Sequence, residues 1–162
     1  MHAKPSIAAI IGVIVILGVS GSSSAGGGTP ANDACSLLTQ AQVSAVLGVA
    51  VGAGQRVVPN GPKMCGWSEA GGSTLTRKKV VFTISNTNAF TRGKTPFTGI
   101  TKTPVSGIGD DAYYVTASGL GTTLNVKKGN AAFSISVHGS GFSVDQIKAM
   151  EKTLAQHVLA KP

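Results

Sequence analysis

The sequence predicts an α+β domain in which an antiparallel sheet of six or seven strands packs against N- and C-terminal helices and carries one disulfide. Three observations predict it. Two capping boxes, Thr39 to Gln42 and Ser143 to Gln146, each open a stretch with apolar residues at helical spacing. Between them the period falls to two, and Gly-rich turns separate the alternating runs. The only Trp, Trp67, stands two residues from Cys65, one of two cysteines, and on a strand that spacing puts both side chains on one face.

The domain is expected over 33–162, after two segments of another kind. Lys4, an unbroken non-polar run from Ile7 to Val19 and the small residues from Ser20 to Gly28 have the layout of a secretory signal, with cleavage after Ala25. As a helix, Ile7 to Val19 would span roughly 20 Å, short of a hydrocarbon core of about 30 Å, so residues 1–25 read as a signal peptide. An uncleaved N-terminal segment serving as a tether is the alternative. Gly26 to Asn32 is Gly-rich, contains Pro30, and reads as a flexible linker.

Export places the chain in an oxidising compartment, extracytoplasmic and either periplasmic, envelope-bound or secreted, where Cys35 and Cys65 are expected to be bridged. The bridge closes a loop of about 30 residues, for which chain entropy gives roughly 3 to 4 kcal/mol. Lys4 is the only charged residue among 1–25, so its removal takes the formal charge from +8 to +7. A basic chain tends toward anionic partners: an envelope protein, an acidic polymer or an anionic lipid surface. Nucleic acid is excluded by compartment and by basic residues that are dispersed without interleaved aromatics.

Taken in order, Thr39 caps a helix whose stripe is Val43, Val46 and Leu47 and which Gly48 ends. Val49 with Val51, then Val57 with Val58, read as short strands around a bend at Gly52 and Gly54. Asn60-Gly61-Pro62 turns the chain into a strand through Cys65-Gly66-Trp67, and Gly71-Gly72-Ser73 turns it again. Val80, Phe82 and Ile84 alternate with Val81, Thr83 and Ser85, the pattern of a half-buried antiparallel strand. Residues 86–111 show no sustained period and read as a long loop. It carries Phe90, Arg92, Lys94, Phe97 and Lys102, an apolar and basic set that forms the secondary candidate for partner contact.

From Ala112 a three-stranded meander is expected. Gly129-Asn130 as a two-residue hairpin loop sets Val126 opposite Phe133, Leu124 opposite Ile135 and Thr122 opposite Val137. Ser118-Gly119 as the preceding turn sets Tyr113 opposite Leu124 and Val115 opposite Thr122. Tyr114, Thr116, Thr123, Asn125, Ser134, Ser136 and His138 then point away from the core. Of these, Tyr114, Thr123, Asn125, Ser134, Ser136 and His138 are the candidate partner-binding residues, a hydrogen-bonding platform with Tyr114 its foremost member. Ile147, Met150, Leu154 and Val158 close the chain as a helix lying on the sheet.

No catalytic constellation is recognisable. Asp110-Asp111 is the only adjacent acid pair, and neighbours on a strand point to opposite faces, so the pair reads as a turn cap. His138 and His157 have no nucleophile elbow to serve. Two cysteines and three scattered histidines do not make a metal site, and Gly107-x-Gly109 lacks the rest of a dinucleotide fingerprint. No catalytic residue, metal or cofactor is therefore expected.

Asp33-Ala34-Cys35-Ser36-Leu37-Leu38-Thr39, Cys65-Gly66-Trp67, the run from Val105 through Gly107-Ile108-Gly109-Asp110-Asp111 to Tyr114, and the closing Leu154-Ala155 to Val158-Leu159 resemble small bacterial exported lipoprotein-type domains of unknown function, best known from actinobacterial envelopes. The resemblance covers nearly all of the chain beyond the signal. It implies a helix and antiparallel-sheet domain with a Cys35 to Cys65 bridge, and it assigns no activity. Ser22 stands where that pattern would carry a lipid-bearing Cys, and a Ser cannot take the thioether lipid. The expected function is a non-catalytic cell-envelope binding module, and the alternative is a secreted inhibitor or accessory subunit of an envelope enzyme.

Overall fold

The computed structural model describes residues 33–71 and 73–161, so the signal peptide expected over 1–25 and the linker over 26–32 lie outside the described residues. A 3-10 turn over Ala34–Ser36 leads into helix α1 (Gln40–Leu47). Strands β1 (Gln55–Val58), β2 (Gly61–Ser68) and β3 (Lys79–Asn86) follow, then helix α2 (Thr87–Gly93) and strand β4 (Ile100–Val105). Strands β5 (Asp111–Ala117), β6 (Gly121–Lys128) and β7 (Ala131–His138) precede the long helix α3 (Val144–Leu159). The strands form one antiparallel sheet of seven in the order β1-β2-β3-β7-β6-β5-β4, with β7 inserted beside β3 at its centre.

Both capping boxes are made. The Thr39 hydroxyl accepts from the Gln42 backbone N–H while the Gln42 amide oxygen accepts from the Thr39 N–H, and Ser143 and Gln146 repeat the arrangement at α3. Each box satisfies donors that the first helical turn leaves without intrahelical partners. Gly48, at φ 66°, ends α1 in the left-handed conformation.

The helices α1 and α3 lie on one face of the sheet. Trp67, Cys65, Val80, Phe82, Leu124, Val126, Ile135 and Val137 are buried there against Leu38, Val43, Leu47, Ile147 and Leu154. The Cys35–Cys65 disulfide ties the N-terminal turn to β2, with a Cα–Cα distance of 5.0 Å. Gly54 lies against this joint: a Cβ there would stand 2.7 Å from the Trp67 ring and 2.9 Å from Cys65 Sγ.

Three local expectations are corrected. The stretch 86–111 is not a structureless loop. Asn86 caps α2 by accepting from the Ala89 N–H at 2.8 Å, and Ile100–Val105 forms edge strand β4. A two-turn helix is too short to display a period, and Lys102 with Pro104 disguises the strand while suiting a free edge. Val49 belongs to no strand, and Val51 makes only an isolated bridge to Glu69.

The third correction is a register. The β5–β6 turn has three residues, Ser118, Gly119 and Leu120, closed by the Ala117–Gly121 pair, with Gly119 at φ 75° and Gly121 at φ 90°. Tyr114, not Tyr113, therefore pairs with Leu124, and Thr116, not Val115, pairs with Thr122. A slip of one residue turns every side chain of β5 to the other face. Tyr114 is buried among the helices instead of exposed on the platform, and Thr116 turns with it. The β6–β7 register stands as expected, with Leu124 opposite Ile135 and Val126 opposite Phe133.

Candidate functional site

With β6 and β7 in the expected register, Thr123, Asn125, Ser134, Ser136 and His138 lie on the sheet face opposite α1 and α3, each half-buried. Cross-strand pairing sets them in rows. Asn125 stands beside Ser134, Ser134 beside Thr83, and Thr83 beside Met64. In the next row Ser136 pairs with Val81, and the Thr123 and Ser136 hydroxyls share a hydrogen bond of 2.8 Å. His138 pairs with Lys79 at the end of the face. Burial, and secondarily the Lys79 charge, lower the His138 pKa, which favours a neutral imidazole able both to donate and to accept.

Helix α2 covers the opposite end of this face. Phe90 packs edge-on against Tyr113 at 5.0 Å between ring centres, with Ala132 beneath, and the Tyr113 hydroxyl donates to the Phe90 carbonyl at 3.0 Å. Gly93 permits the approach, since a Cβ there would lie 2.2 Å from the Tyr113 oxygen. Burial raises the Tyr113 pKa, with Asp111 adding to the effect. Tyr113 is thus the aromatic of this face, but α2 roofs it over.

The secondary candidates divide. Phe90 is buried, so it supports α2 rather than offering contact. Arg92, Lys94 and Phe97 are exposed and Lys102 is half-buried. Lys94 and Lys102 flank a cleft of about 220 Å³ with Pro104, Ala112 and Tyr113 on its walls. The Lys94 ammonium pairs with Asp111 and lies 5.1 Å from the Phe90 ring centre, while Lys102 donates to the Thr95 carbonyl.

Asp110 and Asp111 take separate partners. Asp110 accepts from the Gly129 N–H at 2.6 Å and from Lys128 at 2.9 Å, bonds that hold its pKa below the ordinary value. It clamps the β6–β7 hairpin, while Asp111 holds Lys94.

One titratable group escaped sequence reasoning. Glu151 of α3 is completely buried on the core side of the sheet. Its carboxylate accepts from the Thr122 hydroxyl at 2.8 Å and from the Val137 N–H at 3.2 Å. Burial pushes its pKa up to about 7 against the lowering effect of those two bonds and of Lys148. Tyr114 is close by, donating to the Lys148 carbonyl at 2.8 Å, its pKa pushed up to about 12 by burial and then by Glu151. Glu151 and His138 sit on opposite faces of the sheet and cannot act on one substrate atom. Glu151 continues the helical spacing of Ile147, Leu154 and Val158, which is the signal that could have found it.

The chain matches no protein-family model, and no curated protein and no solved structure matches it.

Proposed function

We propose that this chain is an extracytoplasmic envelope module that binds a polar or anionic partner and performs no covalent chemistry. The observation that carries the reading is the half-open face of β3, β7 and β6. It presents Thr83, Ser134, Asn125, Ser136, Thr123 and His138 in cross-strand rows, and among the described residues no helix lies over them beyond the end that α2 covers. A one-sided antiparallel sheet commonly shows such a face to water, and hydroxyl, amide and imidazole groups there can exchange water for a partner's polar groups at little cost in side-chain entropy. The net charge of +8 favours acidic partners, and the lysines beside the 220 Å³ cleft extend the surface toward them. The resemblance to exported lipoprotein-type domains and the disulfide support a place outside the cytoplasm.

The reading is tested by titrating the isotope-labelled protein with solubilised acidic envelope polymer. Amide shifts are expected to concentrate at Asn125, Ser134, Ser136 and His138. Shifts confined to the outer faces of α1 and α3 would reject the assignment.

A further inference from the structure

Three of the large apolar side chains project almost wholly into solvent: Leu75 is 93 % exposed, Leu120 77 % and Phe97 72 %. Each sits in a turn, where polar residues, Gly and Pro are the rule. Leu75 lies in the turn following Ser73, Phe97 opens the turn closed by the Ile100 N–H on its carbonyl, and Leu120 stands between Gly119 and Gly121 in the β5–β6 turn.

The sheet topology puts all three turns at one end. Ser68 pairs with Lys79, so the segment holding Leu75 closes the end at which β3 begins. Lys79 pairs with His138, and because β6 runs antiparallel to β7 with Leu124 opposite Ile135, Gly121 lies at that same end. Ala117 pairs with Gly121, Ile100 with Ala117, and Phe97 bridges Ile100. The opposite end carries the turn residues Pro59, Asn60, Gly129 and Asn130 and two ion-paired acids, Asp110 and Asp111. Val57 and Val58 near the β1–β2 turn are about half exposed, so the three apolar side chains that reach furthest into solvent all stand at the Leu75 end.

Leu75 and Phe97 stand at opposite sides of that end, separated by about four inter-strand steps of roughly 4.8 Å. Leu120 and Phe97 stand near each other but Leu75 stands apart, so the three do not form the one contiguous apolar patch that a protein partner needs. A bilayer interface yields around each side chain separately and accepts them. Arg77, Lys78 and Lys79 follow the Leu75 turn and Lys102 follows the Phe97 turn, which complements anionic headgroups.

We propose that this end of the sheet, through Leu75, Phe97 and Leu120, docks on an anionic lipid bilayer. Docking there leaves the polar face of β3, β7 and β6 upright beside the membrane and free for its own partner.

Tryptophan reporters test the proposal in the full chain and are indifferent to how the N-terminus is held. Trp67 is buried and gives a constant background. Phe97→Trp and Leu75→Trp are each expected to shift to shorter emission wavelength and to gain protection from a soluble quencher on phosphatidylglycerol vesicles. With phosphatidylcholine vesicles, at least about tenfold more lipid should be needed, since each basic residue near an anionic surface adds appreciably to binding. Asn130→Trp, at the opposite end, should not move. The substituted positions are exposed, so melting temperatures should match the parent chain and confirm that every reporter is folded. Either tip reporter remaining unshifted on phosphatidylglycerol vesicles, or an equal shift at Asn130→Trp, would overturn the proposal.

Discussion

Glu151 makes the stability of this fold depend on pH in a direction opposite to that of most carboxylates. Its pKa rises from an ordinary value of 4.5 to about 7 because burial penalises the charged form more than the bonds from Thr122 and Val137 reward it. A raised folded pKa means that the folded state binds the proton more tightly than the unfolded state. The stabilisation is therefore complete below about pH 4.5 and lost as the pH rises through about 7. At about 1.4 kcal/mol per pH unit, the interval corresponds to about 3 kcal/mol, a large fraction of a small domain's total. Glu151→Gln is the decisive variant. Its amide oxygen can accept from the Val137 N–H, and its NH₂ can donate to the Thr122 oxygen, as the protonated acid would. Urea denaturation from pH 5 to pH 8 should show similar stability for parent and variant at pH 5, with the variant more stable by about 2 to 3 kcal/mol at pH 8. Taking the difference removes His138, whose lowered pKa contributes stability that is present above its unfolded value and lost as the pH falls. A parent-minus-variant difference that stayed flat across the range would refute the assignment of a neutral buried acid.

Other predictions follow from the core. Reducing the Cys35–Cys65 bridge, which spans 30 residues, should cost about 3 to 4 kcal/mol in urea unfolding, and alkylation of the folded, unreduced chain should label neither thiol. Gly54→Ala should destabilise by about 1 to 3 kcal/mol, because its methyl group would meet the Trp67 ring and Cys65 Sγ, neither of which can give way; thermal melting reads the loss. Tyr114→Ala should cost about 3 to 5 kcal/mol, whereas Tyr114→Phe, losing only the bond to the Lys148 carbonyl, should cost about 0.5 to 1.5 kcal/mol. A Tyr114→Ala chain that melted with the parent would contradict the β5 register.

Much of this fold is legible in local chemistry. Two capping boxes and a left-handed Gly48 declare the ends of helices, and Gly129-Asn130 declares the β6–β7 register, because a two-residue loop leaves one choice of partners. The β5–β6 register was illegible for a matching reason. Ser118-Gly119-Leu120-Gly121 accommodates a turn of two residues or three, and both alternatives put a tyrosine opposite Leu124. Adjacent tyrosines at 113 and 114 remove the contrast that normally tells inside from outside. Residues 87–105 hide a helix of two turns and an edge strand whose Lys102 and Pro104 erase its alternation. The facing of Thr123, Asn125, Ser134, Ser136 and His138 is legible because it depends on the β6–β7 hairpin alone. The facing of Tyr114 depends on the neighbouring turn, whose length its sequence leaves open. Glu151 is illegible because a charged residue on an apolar stripe reads as the stripe's polar border, and only packing shows it enclosed.

The most direct test of the binding role is the affinity of the folded chain for acidic envelope polymer before and after Asn125→Glu with Ser136→Glu. These two positions lie on adjacent strands of the open face, and carboxylates there would repel an anionic partner without entering the core. The double variant should lose at least about 1 kcal/mol, roughly fivefold in the dissociation constant, with melting unchanged. Unchanged affinity in a variant that melts with the parent would contradict the binding role.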